Sequence, residues 1–277
     1  MERDDAVNFS TLKYLRFSPL AYRYALAHPR EDTEALLLGR VTHCAVYEPQ
    51  ELDSRYVLSP RFHGGMKDAN AIAKGYDGGK EAKAAWIEAA GDRTVVPPEI
   101  WQRALDAATA VTTDPVAGPM VEGGFSEQTI KWTDKRTGIE CRGRVDHVNG
   151  SLSDLKTTRA PGPRAFMNDA ARYNYHVQLA FYADGLKANG IDIGDEPALV
   201  AVESLPPHDV VVYQIDEETL EAGRATYRDW LDALVSCRKR DDWPGAADRK
   251  PVKFKLPAWA QPQLAEELTL GGVPVSL

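Results

Sequence analysis

A mixed α/β fold is predicted, with a block of antiparallel strands set between helical segments. Three features point to it. The hydrophobic period changes from helical to alternating near residue 127. Two turn signals, Asp134–Gly138 and Asn149-Gly150, divide the following residues into three strand-like runs. Helical and strand patterns then alternate again as far as residue 237. With 277 residues, 43% hydrophobic and 27% charged, the chain can bury one large core and is too apolar for disorder.

The elements follow in order. Residues 9–29 read as two short helices that break at Ser18-Pro19, where proline suits a first helical position. A helix over Thr33–Tyr47 can be capped by Asp32 or Thr33, and Pro49 lies beyond its end. Residues 60–82 hold five glycines and read as a mobile surface loop. Helices are expected over Lys80–Ala90 and Pro98–Val111. Strands are expected over Glu127–Thr133, Ile139–Val148 and Leu152–Thr157. One long helix, Asn168–Ala188, is closed by Gly190. Strands over Ala198–Ser204 and Val210–Ile215 flank Pro206-Pro207, and an amphipathic helix covers Glu217–Cys237. The proline- and tryptophan-bearing tail reads as an irregular wrap. A single domain over 1–277 is expected, with a helical part (1–120), a sheet core (121–240) and the wrap (241–277).

Composition narrows the function. No apolar run approaches the ~18 residues of a membrane span. The charged start, Met1-Glu2-Arg3-Asp4-Asp5, argues against a secretory leader. Cys44, Cys141 and Cys237 are scattered, which speaks against a disulfide framework, a four-cysteine zinc site or an iron–sulfur cluster. A reducing, cytoplasmic setting is therefore expected, without a membrane partner. Net charge is −8, unlike a protein that coats nucleic acid. Residues 131–172, however, carry nine Lys/Arg against five acids. This stretch is either a solvated face or a basic lining for a phosphate backbone; Arg142, Arg144, Arg159, Arg164 and Arg172 are its arginine candidates for contacting DNA.

The chemistry concentrates at Asp146 and Ser153-Asp154-Leu155-Lys156. Asp154 and Lys156 lie two apart on a strand and share a face. The Asn149-Gly150 hairpin brings Asp146 opposite them. Two carboxylates and an ammonium at one sheet edge suit Mg²⁺ or Mn²⁺, with the lysine beside the ion to orient an attacking water. A cross-strand salt bridge on a solvated face would use the same residues. His43, in Gly39-Arg40-Val41-Thr42-His43, shares a helix face with Leu36, Gly39 and Tyr47; it is a core histidine or an extra metal ligand. Gly39, one turn away, would let another backbone come close. Gln178 and Tyr182 share a helix face and can bind phosphate or buttress the site. Glu127 is a third carboxylate or an exposed strand-end acid.

Taken in order, GRVTH (39–43), SEQTIKW (126–132), GRVD (143–146), DLK (154–156) and YHVQLAFY (175–182) resemble the RecB-type branch of the PD-(D/E)xK nucleases. They are most similar to the RecE-like exonucleases of the exodeoxyribonuclease VIII type. The resemblance extends to Ser18–Arg23, to Val202-Glu203 with Pro206-Pro207, and to Leu256–Trp259. It implies a restriction-endonuclease-like core and metal ligation by His43, Asp146, Asp154 and the Leu155 carbonyl. It makes Lys156 the catalytic lysine, places Gln178 and Tyr182 near the scissile phosphate, and matches Glu127 to the acid before the core strands. Asp154 stands where many relatives have Glu. The implied activity is Mg²⁺-dependent digestion of linear double-stranded DNA from the 5′ end, with Mn²⁺ able to substitute. The implied partners are DNA ends, a RecT-like single-strand annealing protein and further copies of the chain in a ring. Another PD-(D/E)xK nuclease, or an inactive DNA-binding relative, remains open at this stage.

Overall fold

The computed structural model describes residues 6–29, 31–62, 77–194, 196–257, 269–270 and 273–274. The N-terminal part opens with β1 (Val7–Asn8) and α1 (Phe9–Leu12), followed by a 3₁₀ turn at Lys13–Arg16. Next is α2 (Pro19–Ala27), with Ser18 as its cap and Pro19 at its first position. In α3 (Glu34–Tyr47) the capping choice falls to Thr33, whose hydroxyl accepts from the Leu36 amide, while Asp32 pairs with Arg40 at 2.5 Å. Then come α4 (Leu52–Arg55), β2 (Tyr56–Leu58), α5 (Lys80–Ala90), β3 (Thr94–Val96), α6 (Pro98–Thr113) and α7 (Ala117–Val121). Most of the glycine-rich 60–82 stretch lies outside the described residues.

The sheet core consists of β4 (Phe125–Thr133), β5 (Glu140–Asn149), β6 (Ser151–Thr158), β7 (Ala198–Glu203) and β8 (Val210–Gln214). Helices α8 (Pro163–Tyr173) and α9 (Tyr175–Ala188) link β6 to β7, and α10 (Glu217–Arg240) follows β8. The six-stranded sheet runs β1-β5-β6-β7-β8, with β4 also on β5. β4, β5 and β6 form the expected antiparallel meander. The β6–β7 pairing is parallel, so the chain crosses over through α8 and α9 between them.

The short α4, α7, β2 and β3, the last two a parallel pair, were not expected, and two further departures bear on the sheet core. The single helix over 168–188 is two helices. Asn174 breaks it with left-handed backbone angles (φ 61°, ψ 43°), a conformation that asparagine tolerates better than most residues. Further, β1 adds a parallel strand to β5 through Val7↔Cys141 and Asn8↔Arg142. Two residues are too few to show an alternating pattern, so periodicity could not reveal it.

Helices cover both faces of the sheet. On one, Val177, Leu179, Phe181 and Leu186 of α9 and Leu231 and Leu234 of α10 bury against Ile130, Val145, Leu152 and Leu199. On the other, Val46, Tyr47, Ala107 and Val111 meet Leu155, Val200 and Val202. Strand β7 is buried on both faces, as a central strand between helical layers should be. The tail begins packed on α2, with Trp243 stacked on Tyr22 at 6.1 Å and the Pro244 carbonyl accepting from the Leu20 amide. By Val252 and Phe254 its side chains are exposed; residues 258–268 lie outside the described residues.

Candidate active site

The site is built where β5 and β6 part. Their ladder runs Asn149↔Ser151, Val148↔Leu152 and His147↔Ser153, and then stops. One edge of β5 is occupied by β4. The other is paired at its ends, with β1 at 141–142 and with β6 at 147–149. Residues 143–146 lie in the gap between them. Asp146 is at the mouth of this fork. Its Oδ2 accepts from the Leu155 amide at 3.1 Å, which ties the two strands together after their ladder ends.

Helix α3 closes the fork from one side. His43 Nε2 is 2.9 Å from the Leu155 carbonyl. A carbonyl only accepts, so Nε2 carries the proton and donates. Nδ1 then faces Asp146 Oδ2 at 3.4 Å and Glu127 Oε1 at 3.8 Å. A bare nitrogen lone pair aimed at two carboxylates is repulsive; a cation between them, or a proton on Nδ1, removes the conflict. Burial alone would lower the imidazole's pKa, but the Asp146 and Glu127 carboxylates outweigh it and raise it. His43, Glu127 and Asp146 offer ligand atoms that all lie within 4.8 Å of one another. Gly39 is not forced by crowding, because a Cβ there would stand 3.5 Å from Thr157 Oγ1, an ordinary contact.

Glu127 reaches this cluster through its backbone. Its strand neighbours pair as Ser126↔His147 and Gln128↔Val145, a register that sets Glu127 across from Asp146. Its φ is +54°, a left-handed conformation that costs an L-residue about 1–2 kcal/mol. Arg144 holds the Glu127 carboxylate through its Nε and lies 3.7 Å from Glu48 Oε2. The arginine is 58% exposed but the Glu127 side chain only 10%, so the pair is half-buried and its loss costs more than that of a surface pair. Removing the carboxylate relieves backbone strain and repulsion with Asp146 but gives up this pair and adds glycine's chain entropy, so metal-free Glu127→Gly is expected to melt within about 5 °C of wild type. Its affinity for Mn²⁺ should nevertheless fall about tenfold. Calorimetry alongside thermal melts checks both, and unchanged Mn²⁺ affinity would remove Glu127 from the ligand set.

From β6, Asp154 and Lys156 project toward α9. The Lys156 ammonium contacts Asp154 Oδ2 and lies 4.8 Å from the Tyr175 ring centroid. Burial alone would lower its pKa, but the Asp154 and Asp146 charges raise it. Asp154 is 1% exposed, and its Oδ1 has no hydrogen-bond partner among the described residues. A buried carboxylate oxygen without a partner is costly. The hard oxygen donors and single imidazole around it fit a divalent ion such as Mg²⁺ or Mn²⁺. On α9, Gln178 Nε2 donates to the Tyr182 hydroxyl at 3.3 Å. Tyr182 packs on Gly143, where a Cβ would come within 2.7 Å of its ring.

The structure thus gathers His43, Glu127, Asp146, Asp154, Leu155 and Lys156 at the fork, with Gln178 and Tyr182 on the adjoining helix. Glu127, rather than Asp154, completes the tight trio with His43 and Asp146, and the Leu155 carbonyl accepts a hydrogen bond from the histidine's Nε2. Arg144 turns to Glu127 and Glu48. Arg142 is half-buried, while Arg159, Arg164 and Arg172 are exposed. Two further side chains belong to the site. Tyr47 meets His43 edge-on at 5.9 Å and stacks on His147 at 5.4 Å. Tyr175 lies beneath Lys156. Helical spacing was the available signal: Tyr47 is four residues after His43, and Tyr175 is three before Gln178.

Burial, followed by the Asp154 charge, pushes Asp146 up to about 6. Both Asp146 and His43 therefore hold protons more tightly when folded than when unfolded. Their stabilisation of the metal-free protein is present at low pH and lost as pH rises through these values. A metal must displace the same protons. Mg²⁺ or Mn²⁺ is expected to raise Tm more at pH 8 than at pH 5.5, as read by melts with and without EDTA. An equal increment at both pH values would place the ion elsewhere.

The sheet with its forked central pair, the helices on both faces and the acid–lysine strand define the PD-(D/E)xK type of nuclease fold. The chain belongs to the PDDEXK-like domain of unknown function family (DUF3799), whose model matches residues 8–250. No curated protein is similar enough to match it. Among solved structures, the fold is similar to a “putative exonuclease” from Eubacterium rectale, with a TM-score of 0.60, 91% of each chain covered and 11% identity. A phage-related exonuclease from Haemophilus somnus 129PT aligns over 65% of this chain and 92% of its own, with a TM-score of 0.34 and 13% identity. Identities this low speak to fold alone, and only the first alignment is close enough to do so. Among the described residues, no helix is long and apolar enough to cross a membrane.

Proposed function

We propose that the protein is a Mg²⁺-dependent exodeoxyribonuclease of the RecE-like type. In this reading it degrades linear double-stranded DNA from the 5′ end, leaving 3′ single strands. The observation that carries it is the meeting of an imidazole, three carboxylates and an ammonium at the sheet fork, in a chain of the PDDEXK-like family. His43, Glu127, Asp146 and Asp154 would hold the ion, with the Leu155 carbonyl at its margin. When bound, the ion supplies Lewis-acid polarisation of the phosphate and lowers the pKa of a bound water.

The chain's own residues perform the rest. Lys156, anchored by Asp154 and the Tyr175 ring, orients the attacking water and adds positive charge where the phosphate becomes more negative. Gln178 and Tyr182 offer an amide and a hydroxyl to a phosphate oxygen from the far side of the fork. Buried Leu155 and Val145 flank the acids with apolar surface and strengthen their electrostatics. In the same reading, the 3′ strands pass to a RecT-like annealing protein, copies of the chain form a ring that keeps hold of its track, and the enzyme works in the cytoplasm of a bacterium or phage-infected host.

A time course on 5′- and 3′-labelled linear duplex with Mg²⁺ tests activity, end requirement and direction together. The 5′ label should appear first as short product, and covalently closed circles should remain intact. Cutting of closed circles would make the enzyme an endonuclease; early release of the 3′ label would reverse the direction.

A further inference from the structure

An aromatic and basic path leads out of the fork along the α8–α9 junction. Lys156 Nζ lies over the Tyr175 ring, and Tyr175 stacks on Tyr173 with centroids 5.8 Å apart and planes 26° from parallel. The Arg172 guanidinium lies 5.7 Å from the Tyr173 centroid. The Arg172 carbonyl accepts from the Arg16 guanidinium, which in turn lies 4.3 Å from the Phe17 centroid. The outer members are open to solvent, with Tyr173 44% and Phe17 55% exposed. Core packing explains neither ring, since each leaves about half its surface in water.

Left-handed Asn174 creates this arrangement. By breaking the helix, it lets Tyr173 and Tyr175, two residues apart, stack instead of pointing to different sides of one helix.

We infer that Phe17 and Tyr173, with Arg16 and Arg172, form a stacking platform for an unpaired nucleic-acid strand leading to or from Lys156. Rings alternating with guanidinium groups are how proteins hold single strands: bases stack on the rings, and phosphates meet the positive charge. Two observations select this occupant over a protein partner. The path is continuous with the fork, and the charge beside the exposed rings is positive. The inference rests on the nuclease reading for the identity of its strand. It adds that the strand on the platform is unpaired, because bases inside a duplex have both faces covered by their neighbours and none left for a protein ring.

The test is binding of a labelled oligothymidylate of about 16 nucleotides, followed by fluorescence anisotropy in EDTA. Without metal nothing is cleaved, so even a chain with no nuclease activity gives an answer. The double variant Phe17→Ala/Tyr173→Ala should bind at least about thirtyfold more weakly than wild type. Tyr173→Trp should keep wild-type affinity, and Arg172→Ala should lower the salt slope by about 0.7. Ile87→Ala, an exposed apolar residue elsewhere (54%), should change nothing. Light scattering and thermal melts on the same samples report assembly and folding. Wild-type affinity in the folded double variant overturns the platform, as does failure of the wild type to bind the oligonucleotide. A change of oligomeric mass with unchanged affinity also overturns it and makes the patch a contact between copies of the chain.

Discussion

Asp154→Asn is expected to lower Mg²⁺-dependent cleavage of linear duplex DNA by at least about a thousandfold while the protein stays folded. The side chain is 1% exposed and has one oxygen with no hydrogen-bond partner among the described residues. Asparagine occupies the same space without the negative charge, so the packing around β6 survives. Electrostatic contributions at sites of developing charge are typically worth several kcal/mol, and each 1.36 kcal/mol is tenfold in rate. The change also removes a charge that raises the pKa of Asp146, so Asp146 should ionise at lower pH in the variant. Steady-state cleavage, Mn²⁺ calorimetry and a thermal melt separate loss of chemistry from loss of fold. Wild-type cleavage by a folded variant would remove Asp154 from the active site.

Lys156→Met should divide the two functions that Asp154→Asn impairs together. Methionine fills the space of the lysine stem, and no neighbouring carboxylate is altered. Mn²⁺ affinity should hold or improve, because the cation no longer competes with an ammonium for Asp154. Cleavage should slow by about 10²–10⁴-fold, the range for a group acting on protons or charge in the transition state. The metal-free variant should melt lower than wild type, since Asp154 is left buried without its counter-charge, and added Mn²⁺ should restore much of the difference. Parallel loss of metal affinity and cleavage would make Lys156 a structural residue.

The two sides of the site differ in how readable they were. Asp146, Asp154 and Lys156 could be placed together because a tight hairpin and a two-residue strand repeat convert sequence distance into spatial distance with little freedom. His43 was harder: a helix face says which side chains stand together, not which strand they meet. Its contact with the Leu155 carbonyl spans 112 residues. Glu127 depended on a left-handed backbone angle inside a strand, which no side-chain pattern announces. The break at Asn174 was missed because apolar residues continue on both sides, and asparagine alone is a weak helix stop. Arg144 was legible as positive charge, but not as the partner of Glu127, because partner choice among surface charges is set by tertiary packing. The strand meander, the flanking helices and the cap of α3 at Thr33 were legible because local chemistry decides them.

The contact between Gly143 and the Tyr182 ring gives residue 143 an influence out of proportion to its size. A single added methyl group there must displace the ring, because β5 is fixed by its neighbours. The first casualty would be the hydroxyl that meets Gln178, well before the sheet itself gave way. A bulkier occupant of position 143 is thus expected to lower Tm and to part the Gln178–Tyr182 contact in one step.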